Sequence, residues 1–101
     1  FKMSCWTYVI YSPNIDRFYI GSTKETPEDR LMAHNNRVFG GKSFTSRAKD
    51  WELFLVIEGN NIQICRRIEQ HLKKMKSRKY LCRLRDSPEK VEVLKEMLAR
   101  P

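Results

Sequence analysis

The side chains suited to chemistry form a short series. Tyr8 and Tyr19 are two phenols separated by ten residues. Arg30 and His34 stand four apart, so on a helix they share one face. Glu69 is the only acid among nine Lys and Arg residues between positions 62 and 85. These types can orient a phosphate, move a proton and hold a hard cation. The net charge of +8 is uneven: residues 1–35 balance, residues 36–50 carry +3 and residues 62–85 carry +8. A concentrated excess of this kind suits a polyanion, nucleic acid before a membrane surface. A solvated, solubilising face is the plainer reading of the same charge.

The elements that must position these groups follow from the pattern. Trp6 to Tyr11 is unbroken β-branched and aromatic sequence, and Phe18-Tyr19-Ile20 resumes it after Ser12-Pro13-Asn14. The two runs read as a hairpin. A turn centred on Pro13-Asn14 brings Tyr8 close to Tyr19, with Trp6, Tyr8 and Ile10 on one face and Thr7, Val9 and Tyr11 on the other. Facing phenols on a small sheet are either core packing or the start of an active site. Thr26-Pro27-Glu28-Asp29 has the form of a helix start, with Thr26 as cap, and the helix runs to Asn35.

Residues 36–50 read as a polar, basic loop. Within it, Lys42-Ser43-Phe44-Thr45-Ser46-Arg47 has a composition suited to phosphate contact. Trp51 to Glu58 is the third strand, apolar nearly throughout and therefore expected at the centre of the sheet. Ile62, Cys65, Ile68, Leu72 and Met75 carry a helical period to about Lys76, with Glu69 at the edge of the stripe. A basic exit follows, then apolar Tyr80-Leu81-Cys82 docking on the core. A last helix runs from Pro88 to Ala99, capped by Ser87. The expected fold is α+β: a small three-stranded antiparallel sheet flanked by helices, in the order ββαβα plus a C-terminal helix. One domain is expected over residues 1–101, with a core at about 5–82 and a helical extension at about 87–99.

Cys5, Cys65 and Cys82 are odd in number and form no C-x-x-C pair, so a reduced, cytoplasmic setting is expected. His34 and His71 lack zinc-ligand spacing with any cysteine. No apolar run is long enough to span a membrane and no signal-peptide pattern is present. Met3 is a candidate start, with Phe1-Lys2 an extension.

Taken together, Trp6-Thr7-Tyr8, then Tyr19-Ile20-Gly21, then Arg30-Leu31-Met32-Ala33-His34-Asn35, then Glu69 on the next helix resemble the GIY-YIG nuclease signature. Lys42-Ser43-Phe44-Thr45, Trp51-Glu52-Leu53 and Lys76-Ser77-Arg78-Lys79-Tyr80 resemble small bacterial single-domain members. Trp6-Thr7 stands where the family has Gly-Ile. No asparagine follows the Glu69 helix, and one extra residue lies between Gly21 and Arg30.

The resemblance implies hydrolysis of DNA phosphodiester bonds with one divalent metal, Mg2+ or Mn2+, held at Glu69, and no other cofactor. It implies a catalytic set of Tyr8, Tyr19, Arg30, His34 and Glu69. Tyr8 is read as general base, Tyr19 as its hydrogen-bonding partner (the two exchangeable), His34 as proton relay and Arg30 as phosphate fork. Lys42, Arg47, Lys73, Lys74, Lys76, Arg78 and Lys79 are the candidate DNA contacts. With no appended targeting module, low sequence specificity or a preference for a DNA structure is expected, in a setting of repair or recombination. The alternatives are a nucleic-acid-binding module of the same fold without cleavage, and a general interaction domain.

Overall fold

A computed structural model describes residues 4–100. The suggested start at Met3 and the Phe1-Lys2 extension lie outside the described residues. Strands β1 (Cys5–Ser12) and β2 (Arg17–Thr23) precede helix α1 (Pro27–Asn35) and a short 3-10 turn (Phe44–Arg47). Strand β3 (Glu52–Gly59) leads to α2 (Ile62–Met75), α3 (Arg78–Asp86) and α4 (Pro88–Ala99). The fold is α+β, with one antiparallel sheet in the order β2-β1-β3.

β1, not β3, is therefore the central strand, which corrects the expectation from the apolar run at 51–58. β1 is covered on both faces: Tyr8, Val9 and Ile10 are fully buried. β3 is an edge strand, and its Val56 is 41% exposed. Its unbroken apolar stretch has another cause. The ladder shifts between Val9 and Ile10, which pair with Leu55 and Leu53, leaving Phe54 as an extra residue. Such a bulge turns Phe54 toward the same core as Leu55, so the alternation of a half-buried strand is lost at that point.

The hairpin register also differs from the expected one. Tyr8 pairs with Gly21 and Ile10 with Tyr19, so the loop holds Pro13 to Asp16 rather than a two-residue turn. Asp50 explains the wider loop. Its carboxylate accepts hydrogen bonds from the Ser12 hydroxyl (2.6 Å) and the Asn14 backbone N–H (2.8 Å). Asp16 closes the turn in the left-handed region at φ 54 and accepts a bond from the Tyr11 hydroxyl. The slip is by two residues, an even number, so both tyrosines keep the same face.

One face of the sheet, through Val9, Leu55 and Ile57, packs on Ile68 and Leu72 of α2, Leu81 and Leu84 of α3 and Leu94 of α4. The other face holds Tyr8 and Ile10 with Ala48 and Trp51, backed by Tyr19, Leu31 and Phe44. Helix α3 is absent from the sequence reading, where Lys and Arg masked it. Ser77 caps it by accepting the Tyr80 N–H, and Leu81 and Leu84, three apart, are its buried side. Tyr80 and Leu81 do dock on the core, as helix. Among the described residues no helix is long and apolar enough to cross a membrane.

Candidate active site

The site is built at one corner of the Tyr8 face. The Tyr8 ring crosses β2 over Gly21: a Cβ at Gly21 would lie 2.6 Å from the Tyr8 hydroxyl, so only glycine leaves room for the phenol. The hydroxyl meets His34 Nε2 at 2.8 Å. His34, in the last turn of α1, meets the Thr45 hydroxyl through Nδ1 at 2.7 Å. Tyr8, His34 and Thr45 are all buried, at 0%, 2% and 2% exposure. The Trp51 indole N–H donates to the Thr45 carbonyl at 2.8 Å. Asn35 clamps the Trp51 backbone from both sides, donating to its carbonyl at 3.0 Å and accepting from its N–H at 2.8 Å. A chain of buried bonds thus runs from the phenol to the loop before β3.

The Tyr8 hydroxyl bonds to His34 and not to Tyr19, which corrects the expected phenol pair. The two tyrosine rings are 6.4 Å apart between centroids. Tyr19 lies 5.0 Å from the His34 ring and near-parallel to Phe44.

Electrostatics sharpen the arrangement. Burial raises the Tyr8 phenol above its ordinary value; Arg30 beside it opposes this, and the charges of Tyr19 and Glu69 add to it. Desolvation therefore outweighs the pull of Arg30 toward the phenolate. Burial, with Arg30 adjacent, pushes His34 down to about 4, so it is neutral at pH 7. A neutral imidazole has one donor and one acceptor nitrogen. With Arg30 drawing the phenol's lone pairs, the favoured pattern has Tyr8 O–H donating to Nε2 and Nδ1–H donating to Thr45.

Two expected results follow. An unfolded imidazole titrates near ~6.5, so between that value and about 4 the unfolded chain binds the extra proton. Stability present above ~6.5 is lost as pH falls through this window, on the order of 3 kcal/mol in all. Thermal unfolding from pH 7 to 4 should show the loss, and His34→Gln should flatten it. An NMR titration placing His34 near its ordinary value would refute the prediction. For Thr45→Val, a near-isosteric change leaves His34 Nδ1 without its partner. A loss of about 1–3 kcal/mol is expected, with 15N shifts of His34 showing mixed tautomers; Thr45→Ser should restore both.

Arg30 is half-buried. Its guanidinium lies 4.4 Å from the Phe39 ring centroid and 3.5 Å from exposed Glu25. Its Nε is buried and has no hydrogen-bond partner among the described residues. An unpartnered buried donor is uncommon and points to a group that arrives from outside.

Glu69 reaches this corner from α2, on the other side of the sheet. Its Oε1 accepts from the hydroxyl of Ser22, the residue after Gly21, at 2.6 Å, and its Oε2 pairs with Lys73 at 2.6 Å. Ser22 and Thr7 also reach the Cys65 carbonyl, at 3.1 and 2.6 Å, which ties α2 to the strands. Among the described residues no three His, Cys, Asp or Glu converge as a metal cluster. The hard oxygen donor at Glu69 fits Mg2+ or Mn2+ of the kind that keeps several waters and takes its other ligands from phosphate. Lys73 is exposed enough to leave at small cost.

The candidate DNA contacts do not form one cluster. Lys73, Lys76 and Arg78 line a groove with Tyr19, and Lys74 lines a second depression with Arg67 and His71 that Lys73 also borders. Arg47 sits over the Phe44 ring and lines a depression with Arg37 and Lys49. Lys42 and Lys79 are exposed. Arg78 is already engaged, donating to the Asp16 carboxylate at 2.7 Å and to its carbonyl at 2.5 Å.

Thr45 and Ser22 are the site residues that sequence reasoning missed as such. Thr45 sits in an aperiodic loop, where nothing sets it above Ser43 or Ser46. Gly21 had a signal, since glycine within a strand marks a place where another group can approach the backbone.

In comparison with known proteins, a family model described as the GIY-YIG catalytic domain matches residues 4–81. No curated protein and no solved structure matches.

Proposed function

We propose, from the premise that this chain belongs to the GIY-YIG nuclease family, that it is an endonuclease hydrolysing DNA phosphodiester bonds with one divalent cation. The observation that carries this reading is the buried hydrogen bond between the Tyr8 hydroxyl and His34, with Arg30 beside the phenol and Glu69 bonded to Ser22, the residue after the Gly21 that Tyr8 crosses. Glu69 would hold Mg2+ or Mn2+, and the bound cation supplies positive charge to the scissile phosphate and the leaving oxygen.

The protein's own groups do the rest. Arg30 offers its unpartnered Nε and its terminal N–H groups to a phosphate oxygen. Turning toward a phosphate uncovers the Tyr8 oxygen. Tyr8 then accepts a proton from the attacking water while passing its own to His34 Nε2. A phosphate that neutralises Arg30 also removes one of the two influences holding His34 low, which makes the imidazole a better acceptor at that moment. Thr45 keeps Nδ1 occupied so that Nε2 faces the phenol. Low sequence specificity or recognition of a DNA structure completes the reading, because Lys and Arg contacts to the backbone carry no base code.

The test is a nicking assay on supercoiled plasmid and on branched, flap and single-stranded DNA, in magnesium, in manganese and in EDTA. Metal-dependent cutting is expected. Salt-sensitive binding with no cutting in either metal would make the chain a binding module of the same fold.

A further inference from the structure

Beside Tyr19 a groove of about 350 Å³ follows the free edge of β2 and passes under the end of α2. Phe18, Tyr19 and Phe44 give it aromatic walls, and Lys73, Lys76 and Arg78 stand at its margin. The Tyr19 and Phe44 rings are nearly parallel, 19° apart in plane, with centroids 6.2 Å apart. No acidic side chain is among the residues lining it. The depressions against α4 differ: one includes Glu89, another Glu58 and Glu92.

Lys76 adds a second, independent sign. It ends α2 in the left-handed region at φ 47, where glycine is at ease and a long side chain is strained. Lys76 there sets a positive charge at the groove. Cations beside aromatic faces are how proteins hold unpaired nucleic-acid strands.

We propose that this groove takes an unpaired nucleotide of the DNA substrate, with its base against the Tyr19–Phe44 wall and its flanking phosphates on Lys73 and Lys76. The identity of the substrate rests on the nuclease reading. A base in a duplex is paired and stacked on its neighbours, so its faces cannot reach the wall. The protein therefore selects DNA with single-stranded character next to the scissile phosphate, such as a flap or a bubble. Tyr19 then serves both the groove and the catalytic corner, which sets the distance between the unpaired base and the cut.

The experiment measures binding of the full chain, in EDTA, to a thymidine oligonucleotide carrying one 2-aminopurine, alone and annealed as a duplex. The single strand should bind about tenfold tighter or more, with quenching of the 2-aminopurine emission. Phe44→Ala should remove the quenching and the preference. Phe44 also packs near Trp51, so Lys76→Gly is the second variant: it suits the left-handed backbone and removes the side chain with its charge. It should weaken single-strand binding severalfold. Equal affinity for the two DNAs, or unchanged single-strand binding in both variants, overturns the proposal. So would a dimer in sedimentation that Phe44→Ala dissolves, which would give the groove to a second copy. Failure of the nuclease reading looks different: single-strand preference and quenching intact, but no cutting when magnesium or manganese is added.

Discussion

Glu69→Ala is expected to abolish metal-dependent cleavage while leaving the protein folded. Glu69 is the proposed anchor of the cation, so its removal takes that anchor away. Positive charge on a transferring phosphoryl group supplies several kcal/mol of transition-state stabilisation, so a loss on the order of a thousandfold or more is expected. The structural cost is small by comparison. Lys73 is freed to solvent, and the Ser22 hydroxyl still has the Cys65 carbonyl 3.1 Å away. A partly exposed ion pair of this kind contributes ~1 kcal/mol or less. Circular dichroism and thermal unfolding separate the two effects. Cleavage that persisted in Glu69→Ala, in repeated preparations, would place the cation elsewhere.

Tyr8→Phe should lower turnover by about 100- to 10,000-fold, the usual range for a positioned proton-transfer group. The ring still fills its buried slot over Gly21, so packing is kept. The lost hydroxyl leaves His34 Nε2 without a partner, and about 1–3 kcal/mol of stability should go with it. Tyr19→Phe is the informative comparison. The Tyr19 hydroxyl makes no hydrogen bond among the described residues, and its ring contacts survive the change. A loss of less than about tenfold is expected there. The reverse order, Tyr19→Phe crippling turnover and Tyr8→Phe sparing it, would exchange the two roles. Full cleavage by Tyr8→Phe would remove Tyr8 from proton transfer altogether.

Local chemistry was legible wherever a residue acts through its own neighbours in sequence. Thr26 and Pro27 start α1 and Ser87 starts α4 because capping is settled within one turn. The period of Ile62 to Met75 announced α2 and left Glu69 at its edge. α3 was hidden because its buried side needs only Leu81 and Leu84 among five charged residues, Arg78, Lys79, Arg83, Arg85 and Asp86.

By itself, the sequence determined the α+β composition, the basic character and the set of types — phenols, guanidinium, imidazole, lone carboxylate — from which a nuclease site is made. Only the tertiary structure decided which of them touch. Asp50 lengthens the hairpin loop from 38 residues beyond Ser12, and that slip sets Tyr8 over Gly21 instead of beside Tyr19. Thr45, from a loop without periodicity, occupies His34. The physical reason is that hydrogen bonds and desolvation depend on separations in space. A buried imidazole at about 4 is a property of everything packed around His34, and no neighbour in the chain reports it.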